Sequence, residues 1–204
     1  EMCIRDRFNK EITSLESIKG LKMRIPGIGG EVFKRAGGVP VNIPGGELYT
    51  ALQTGVIDAT EWVGPYNDLA FGFQQIAKYY YFPGWHEPGS MLEFIINLDA
   101  WNELPTHLQS IVKTAAKAVN QDLLDEYTAM NNQALRELID VHNVQLKKLP
   151  DDVINEFRVI SKSVLDEIAE NDNQFKSIYE SYLKFKSEVV SYHEISEDAY
   201  TKIR

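Results

Sequence analysis

From Pro105 to about Asp140 the chain runs without an internal glycine or proline. Within that run Leu108, Ile111, Val112, Ala115, Val119, Leu123, Tyr127, Met130, Ala134 and Leu138 recur at steps of three and four. This is the period of one helix face, and proline suits a first helical turn. At ~1.5 Å per residue the helix is about 50 Å long, longer than a small domain is wide, so it is expected to run across two lobes. Such an element needs partners of a different texture, and the residues before it have one.

Up to residue 104 the chain is rich in glycine and proline, with short β-type runs. Residues 14–19 read as one helical turn stopped by Gly20, and Leu21–Ile25 as a strand ending at Pro26-Gly27. Glu31–Ala36 is expected as a short helix, Val39–Ile43 as a second strand, and Glu47–Thr54 as a helix ended by Gly55. Val56–Glu61 is a third strand, a helix follows from Pro65 to about Gly72, and Tyr79–Phe82 and Met91–Asn97 are two more strands. Alternation of this kind with short connections predicts an α/β layer with parallel strands. Beyond the long helix, Val144–Leu149 reads as a strand, and Asp151–Ala169 and Phe175–Val190 as amphipathic helices. The last dozen residues read as a loosely attached tail. The domain reading is a leader at 1–7, an α/β ligand-binding region at 8–104, and a helical region at 105–204.

Composition excludes several classes. A net charge of -9 and a pI near 5.0 argue against a nucleic-acid partner, which needs clustered Lys and Arg. No apolar stretch approaches the roughly 20 residues that span a bilayer. Cys3 is the single cysteine, which rules out an internal disulfide and a multi-thiolate metal site. The opening Glu1-Met2-Cys3-Ile4-Arg5-Asp6-Arg7 has no apolar run after its charges and is not a signal peptide. It joins nothing recognisable and is read as a non-native leader in place of a lost upstream portion.

Four features of the first region bear on chemistry. Arg24 lies near the C-terminal end of a predicted strand, where ligands of open α/β sheets collect, and a guanidinium there can clamp a carboxylate. The plainer alternative is a surface arginine. Glu61-Trp62 hold the equivalent place after the third strand; the plainer reading is a solvated glutamate and a core tryptophan. Trp85-His86-Glu87, between Pro-Gly turns, forms a stiff loop. Histidine beside glutamate suggests zinc or proton transfer, yet no HExxH pattern or neighbouring cysteine accompanies it. Glu61, Glu87 and backbone carbonyls suit a hard cation such as Ca²⁺ or Na⁺ better. Gly29-Gly30 and Gly45-Gly46 form no nucleotide-binding pattern and read as tight turns. Tyr66 and Asn67 either point into the crevice or serve as cap and core. His107, His142 and His193 read as solvated, and no serine sits in a nucleophile elbow.

Three longer runs carry a resemblance: Gly20-Leu21-Lys22-Met23-Arg24-Ile25-Pro26-Gly27, the stretch from Pro44 to Asp68, and Pro83-Gly84-Trp85-His86-Glu87-Pro88-Gly89. They resemble the solute-binding subunits of tripartite ATP-independent periplasmic (TRAP) transporters, in the α-keto acid-binding subgroup of the DctP family. The resemblance covers nearly all of the chain beyond its first residues.

The resemblance implies a two-lobed periplasmic-binding-protein (type II-like) fold with an incomplete first lobe, a long bridging helix and a helical C-terminal region. It implies that Arg24 pairs with the substrate carboxylate, and that Glu61, the Trp62 carbonyl and Glu87 hold Na⁺ or Ca²⁺. Family members add an upstream glutamine that nothing here supplies. Trp62, Tyr66, Asn67, Trp85 and Glu87 complete the expected substrate-binding set, with no catalytic residue. The expected ligand is a small 2-oxo or 2-hydroxy monocarboxylate, the expected location the periplasm, and the expected partner a TRAP membrane permease. Some family members pair through their C-terminal helices, and Phe175–Val190 here read either as such a pairing surface or as core. The competing class is a metal-dependent enzyme using Glu61 and Glu87 as acid and base; a purely helical scaffold ranks third.

Overall fold

The computed structural model describes residues 6–87, 89 and 93–204. Six strands form one sheet in the order β3-β2-β4-β1-β5-β6. They are β1 (Asp6–Phe8), β2 (Lys22–Arg24), β3 (Val39–Val41), β4 (Ala59–Glu61), β5 (Tyr79–Phe82) and β6 (Gln145–Lys148). Parallel pairing joins β2 to β3 and β4, and β5 to β6. The helices are α1 (Gly27–Arg35), α2 (Leu48–Gln53), α3 (Pro65–Phe71), α4 (Leu98–Glu103), α5 (Thr106–Asp140), α6 (Asp151–Asn171), α7 (Asn173–Ile195) and α8 (Glu197–Ile203).

The parallel sheet expected from the alternation is in fact mixed. β1 runs antiparallel between β4 and β5, with Asp6 opposite both Glu61 and Tyr81. Asp6 and Arg7, grouped with the leader in the sequence reading, are buried in this central strand, and a boundary at residue 7 cuts through it. A buried cation there needs a partner. Arg7 pairs with Asp68 of α3 and donates to the Tyr80 hydroxyl at 2.8 Å. Burial works hardest against the Arg7 charge, but Asp68, Tyr80 and Asp6 together outweigh it and raise the guanidinium above its ordinary value.

Other departures are local. α1 begins at Gly27, so Gly29 and Gly30 lie within its first turns and not ahead of the helix. In the expected strand Met91–Asn97, Met91 and Leu92 fall outside the described residues. Residues 93–97 join no strand, and Asn97 instead caps α4 by accepting from Asp99 and Ala100. The expected tail contains α8.

The long helix forms as its periodicity requires, but its burial is lopsided. Only Ala134 and Leu138 are buried, and between 93 and 133 no described residue is. Leu138 packs with Tyr80 and Val144, joined by Leu69, Leu135 and Leu146. α5 is therefore held at its C-terminal end, against α3 and the β5–β6 edge. Upstream, Phe94, Ile96, Leu98, Trp101, Val112 and Ala116 line an open apolar groove of about 310 Å³. The residues divide into two compact units, 1–157 and 158–204, while the change of texture near 104 falls at the connection between α4 and α5. In the second unit α7 is capped by Asp172, which accepts from Gln174 and Phe175 at 2.8 and 2.9 Å.

One-ended anchoring has a measurable consequence. Leu138→Ala should lower unfolding free energy by about 2–5 kcal/mol, whereas Ile111→Ala, at 60% exposure, should cost less than about 0.5. Urea denaturation distinguishes this from a helix packed along its whole length, for which the two losses would be comparable.

Candidate functional site

β2 and β4 are parallel neighbours, with Arg24 in register with Thr60. Their carboxyl ends therefore deliver Arg24 and Glu61 to the same place. The two side chains form an ion pair, 15% and 8% exposed. Arg24 Nε also donates to the Ile43 carbonyl at 3.2 Å, and its guanidinium lies 5.8 Å from the Trp62 ring. Burial lowers the Arg24 pKa from its ordinary value, though an arginine stays charged throughout the physiological range. The plainer readings of these two residues, a surface arginine and a solvated glutamate, are both displaced.

Trp62 sits in a small aromatic nest. Its ring is 4.9 Å from Phe71 and 6.3 Å from Phe73, and it packs against the Leu48, Leu52 and Ile57 cluster. Gly45 admits it, since a β-carbon there would stand 2.7 Å from the indole. Core packing and proximity to Arg24 thus coexist in one side chain.

The loop after β5 brings in the second carboxylate. Single ligand atoms of Glu61, His86 and Glu87 lie within 4.8 Å of one another. Glu87 is exposed and His86 half-buried. His86 Nε2 is 3.8 Å from Glu61 Oε2, and its Nδ1 is 4.0 Å from Asp6 Oδ1, ranges for ion pairing and not for hydrogen bonds. The sequence raised His86 for zinc and left it out of the ligand set; only the fold shows it lodged between two carboxylates. Oxygen donors from two glutamates, with the main-chain carbonyl of Trp62 adjacent in sequence, fit a hard cation such as Ca²⁺ or Na⁺.

The other expected residues divide. Asn67 is half-buried, and its Oδ1 accepts no hydrogen bond from a described residue. Tyr66 turns toward α5: its hydroxyl donates to Glu126 at 3.1 Å and its ring meets Tyr127 edge-on at 6.0 Å. The Glu126 carboxylate raises the Tyr66 pKa. The Trp85 ring lies on Phe157 at 4.3 Å and on His86 at 5.1 Å. Those contacts pack the ring beside the histidine of the cluster.

Charged groups at the carboxyl ends of parallel strands stand where open α/β proteins collect ligands. The chain belongs to the family of bacterial extracellular solute-binding proteins, family 7 (DctP), whose profile matches residues 4–172. It is 42% identical over 193 residues to the monocarboxylate 2-oxoacid-binding periplasmic protein of Nostoc sp., covering 95% of this chain and 53% of that protein. Among solved structures it is similar to a TRAP periplasmic solute-binding protein from Colwellia psychrerythraea with bound calcium and pyruvate. The TM-score is 0.94 and the identity 41%, over 100% of this chain and 62% of that one. A counterpart from Pseudoalteromonas atlantica with bound sodium and pyruvate gives 0.92 and 39%, over 98% and 61%. The chain thus spans between half and two thirds of these relatives, and covers part of their fold.

A half-buried ion pair makes a stability prediction. Glu61→Leu should cost about 1–3 kcal/mol, because it strands a guanidinium that retains some solvent. The double variant Arg24→Leu/Glu61→Leu should be more stable than Glu61→Leu alone. Additive losses in guanidinium denaturation would show that the two residues do not depend on each other.

Proposed function

We propose that the protein is the ligand-capturing part of a TRAP solute-binding protein for a small 2-oxo or 2-hydroxy monocarboxylate, held together with Na⁺ or Ca²⁺. One observation carries the reading: Arg24 is paired with Glu61 at adjoining strand ends, and a Glu87 oxygen lies within 4.8 Å of Glu61. A positive clamp and a two-carboxylate cradle stand side by side. Support comes from the relatives, named for 2-oxoacid binding or solved with pyruvate beside calcium or sodium.

The mechanism is an exchange of ion pairs. Without ligand, Arg24 and Glu61 neutralise each other. In capture, Arg24 gives up Glu61 for the ligand carboxylate, while Glu61, Glu87 and the Trp62 carbonyl would hold the cation. The cation supplies a positive charge for the 2-oxo or 2-hydroxy oxygen. Each buried charge keeps an opposite partner throughout, so neither is left stranded in a water-poor site. A carboxylate alone would leave Glu61 facing a like charge.

Micromolar affinity requires about 8 kcal/mol, and each charge-assisted hydrogen bond gives roughly 1.5–3. Arg24 accordingly cannot suffice without the cation and the exclusion of water. Periplasmic location, delivery to a membrane permease, and binding without turnover follow from the same reading. The Trp62 ring beside Arg24 and the half-buried amide of Asn67 are the remaining substrate contacts.

Calorimetric titration tests this directly. Pyruvate should bind in the presence of Ca²⁺ or Na⁺ and lose affinity when both are withheld. Arg24→Ala should weaken it by at least about 100-fold, as expected for two lost charge-assisted bonds. Unchanged affinity in that variant would remove the carboxylate clamp. Conversion of pyruvate during prolonged incubation would favour an enzyme acting through Glu61 and Glu87.

A further inference from the structure

The start of α3 lacks the usual means of satisfying its backbone. Gly64 at the cap position has no side chain, and Pro65 at the first helical position has no N–H. The next amide is satisfied from far away in the chain. Tyr66 N–H donates to Asn131 Oδ1 on α5 at 3.0 Å, a separation of 65 residues. Gly64 permits this approach, because a β-carbon there would lie 3.1 Å from Asn131 Oδ1 and 3.6 Å from its Cγ. The φ of Gly64, 172°, is extended backbone, so crowding and not conformation calls for glycine. An N–H must meet an acceptor, which fixes the Asn131 amide with its oxygen toward Tyr66. Its Nδ2 is buried and donates to no described residue.

The contact sits where α5 is anchored and next to the site. Tyr66 meets Glu126 and Tyr127 on the same helix, while Leu69 of α3 packs beside Leu138. On the other side, Gly64 is two residues beyond Trp62, and Asn67 directly follows Tyr66. Pro65 has a fixed φ, and the Gly64 carbonyl is tied to Asp68 N–H at 3.0 Å. A shift of Tyr66 therefore passes along the backbone in both directions and is poorly absorbed between them.

We propose that Asn131 is a positioning residue for the carboxylate–cation site. It caps α3 from the long helix and so fixes how the chain leaves β4. That direction aims the Trp62 carbonyl and the Asn67 amide. The effect on binding rests on the functional reading above, whereas the effect on geometry does not.

Asn131→Leu removes the acceptor at nearly the same size, and Asn131→Asp keeps one. In the ligand-free chain, amide exchange at Tyr66 should accelerate about fivefold in Asn131→Leu, the value of a lost cap. The NMR amide shifts of Trp62, Val63 and Asn67 should move as well. Asn131→Asp should restore both. With pyruvate and Ca²⁺, the Kd should rise about fivefold in Asn131→Leu and stay within about twofold in Asn131→Asp. Movement confined to Tyr66, or an unchanged Kd beside a lowered thermal midpoint, makes Asn131 a structural cap only and overturns the proposal. If the unsubstituted chain binds neither ion nor pyruvate, the functional reading fails, and the amide shifts alone decide the proposal.

Discussion

Opposite charges at the adjoining carboxyl ends of β2 and β4 are the constraint around which the first unit is arranged. Arg24 and Glu61 are largely withdrawn from water, so each is tolerable only while the other, or a substitute, is present. The parallel register that pairs Arg24 with Thr60 puts them in reach. The loop from β5 then adds His86 and Glu87 on the same side. In the proposed capture, an incoming ion pair would take the place of this one, so that neither Arg24 nor Glu61 is left alone.

The surroundings divide labour between rigidity and reach. Trp62 is fixed by Phe71, Phe73 and the space left by Gly45, so the backbone after Glu61 is set by the core. α3 follows at once and is gripped from two sides, by Arg7 through Asp68 and by α5 through Asn131. α5 itself buries only Ala134 and Leu138, and among the described residues the apolar stripe of its first half, with the groove beside Trp101, lies open. The relatives are longer than this chain. The stripe is periodic enough to form a helix, but periodicity does not say what covers it.

Much of the architecture was legible in residue order because its signals are local. Gly20, Gly55 and Gly72 adopt positive φ at the ends the sequence assigned to them. Pro105 opens α5, and the three-to-four spacing of apolar residues carries it to Asp140. The places of Arg24 and Glu61 at strand ends were also legible, as was that of Glu87 in the loop after β5. The packing partners of Tyr66 and Trp85 were not. An aromatic ring reads alike in the sequence whichever neighbours it packs on, and only the fold sets Tyr66 against Tyr127 and Trp85 against Phe157.

The sequence by itself determined where elements start and stop and which charges stand at strand ends. These depend on backbone conformation and on neighbours a few residues away. Tertiary structure alone decided that Asp6–Phe8 enter the sheet antiparallel at its centre. It also decided that His86 lodges between two carboxylates and that Asn131 caps a helix 65 residues upstream. Each of those pairs groups distant in the chain, and their union is set by the burial of the whole core, which no local pattern encodes.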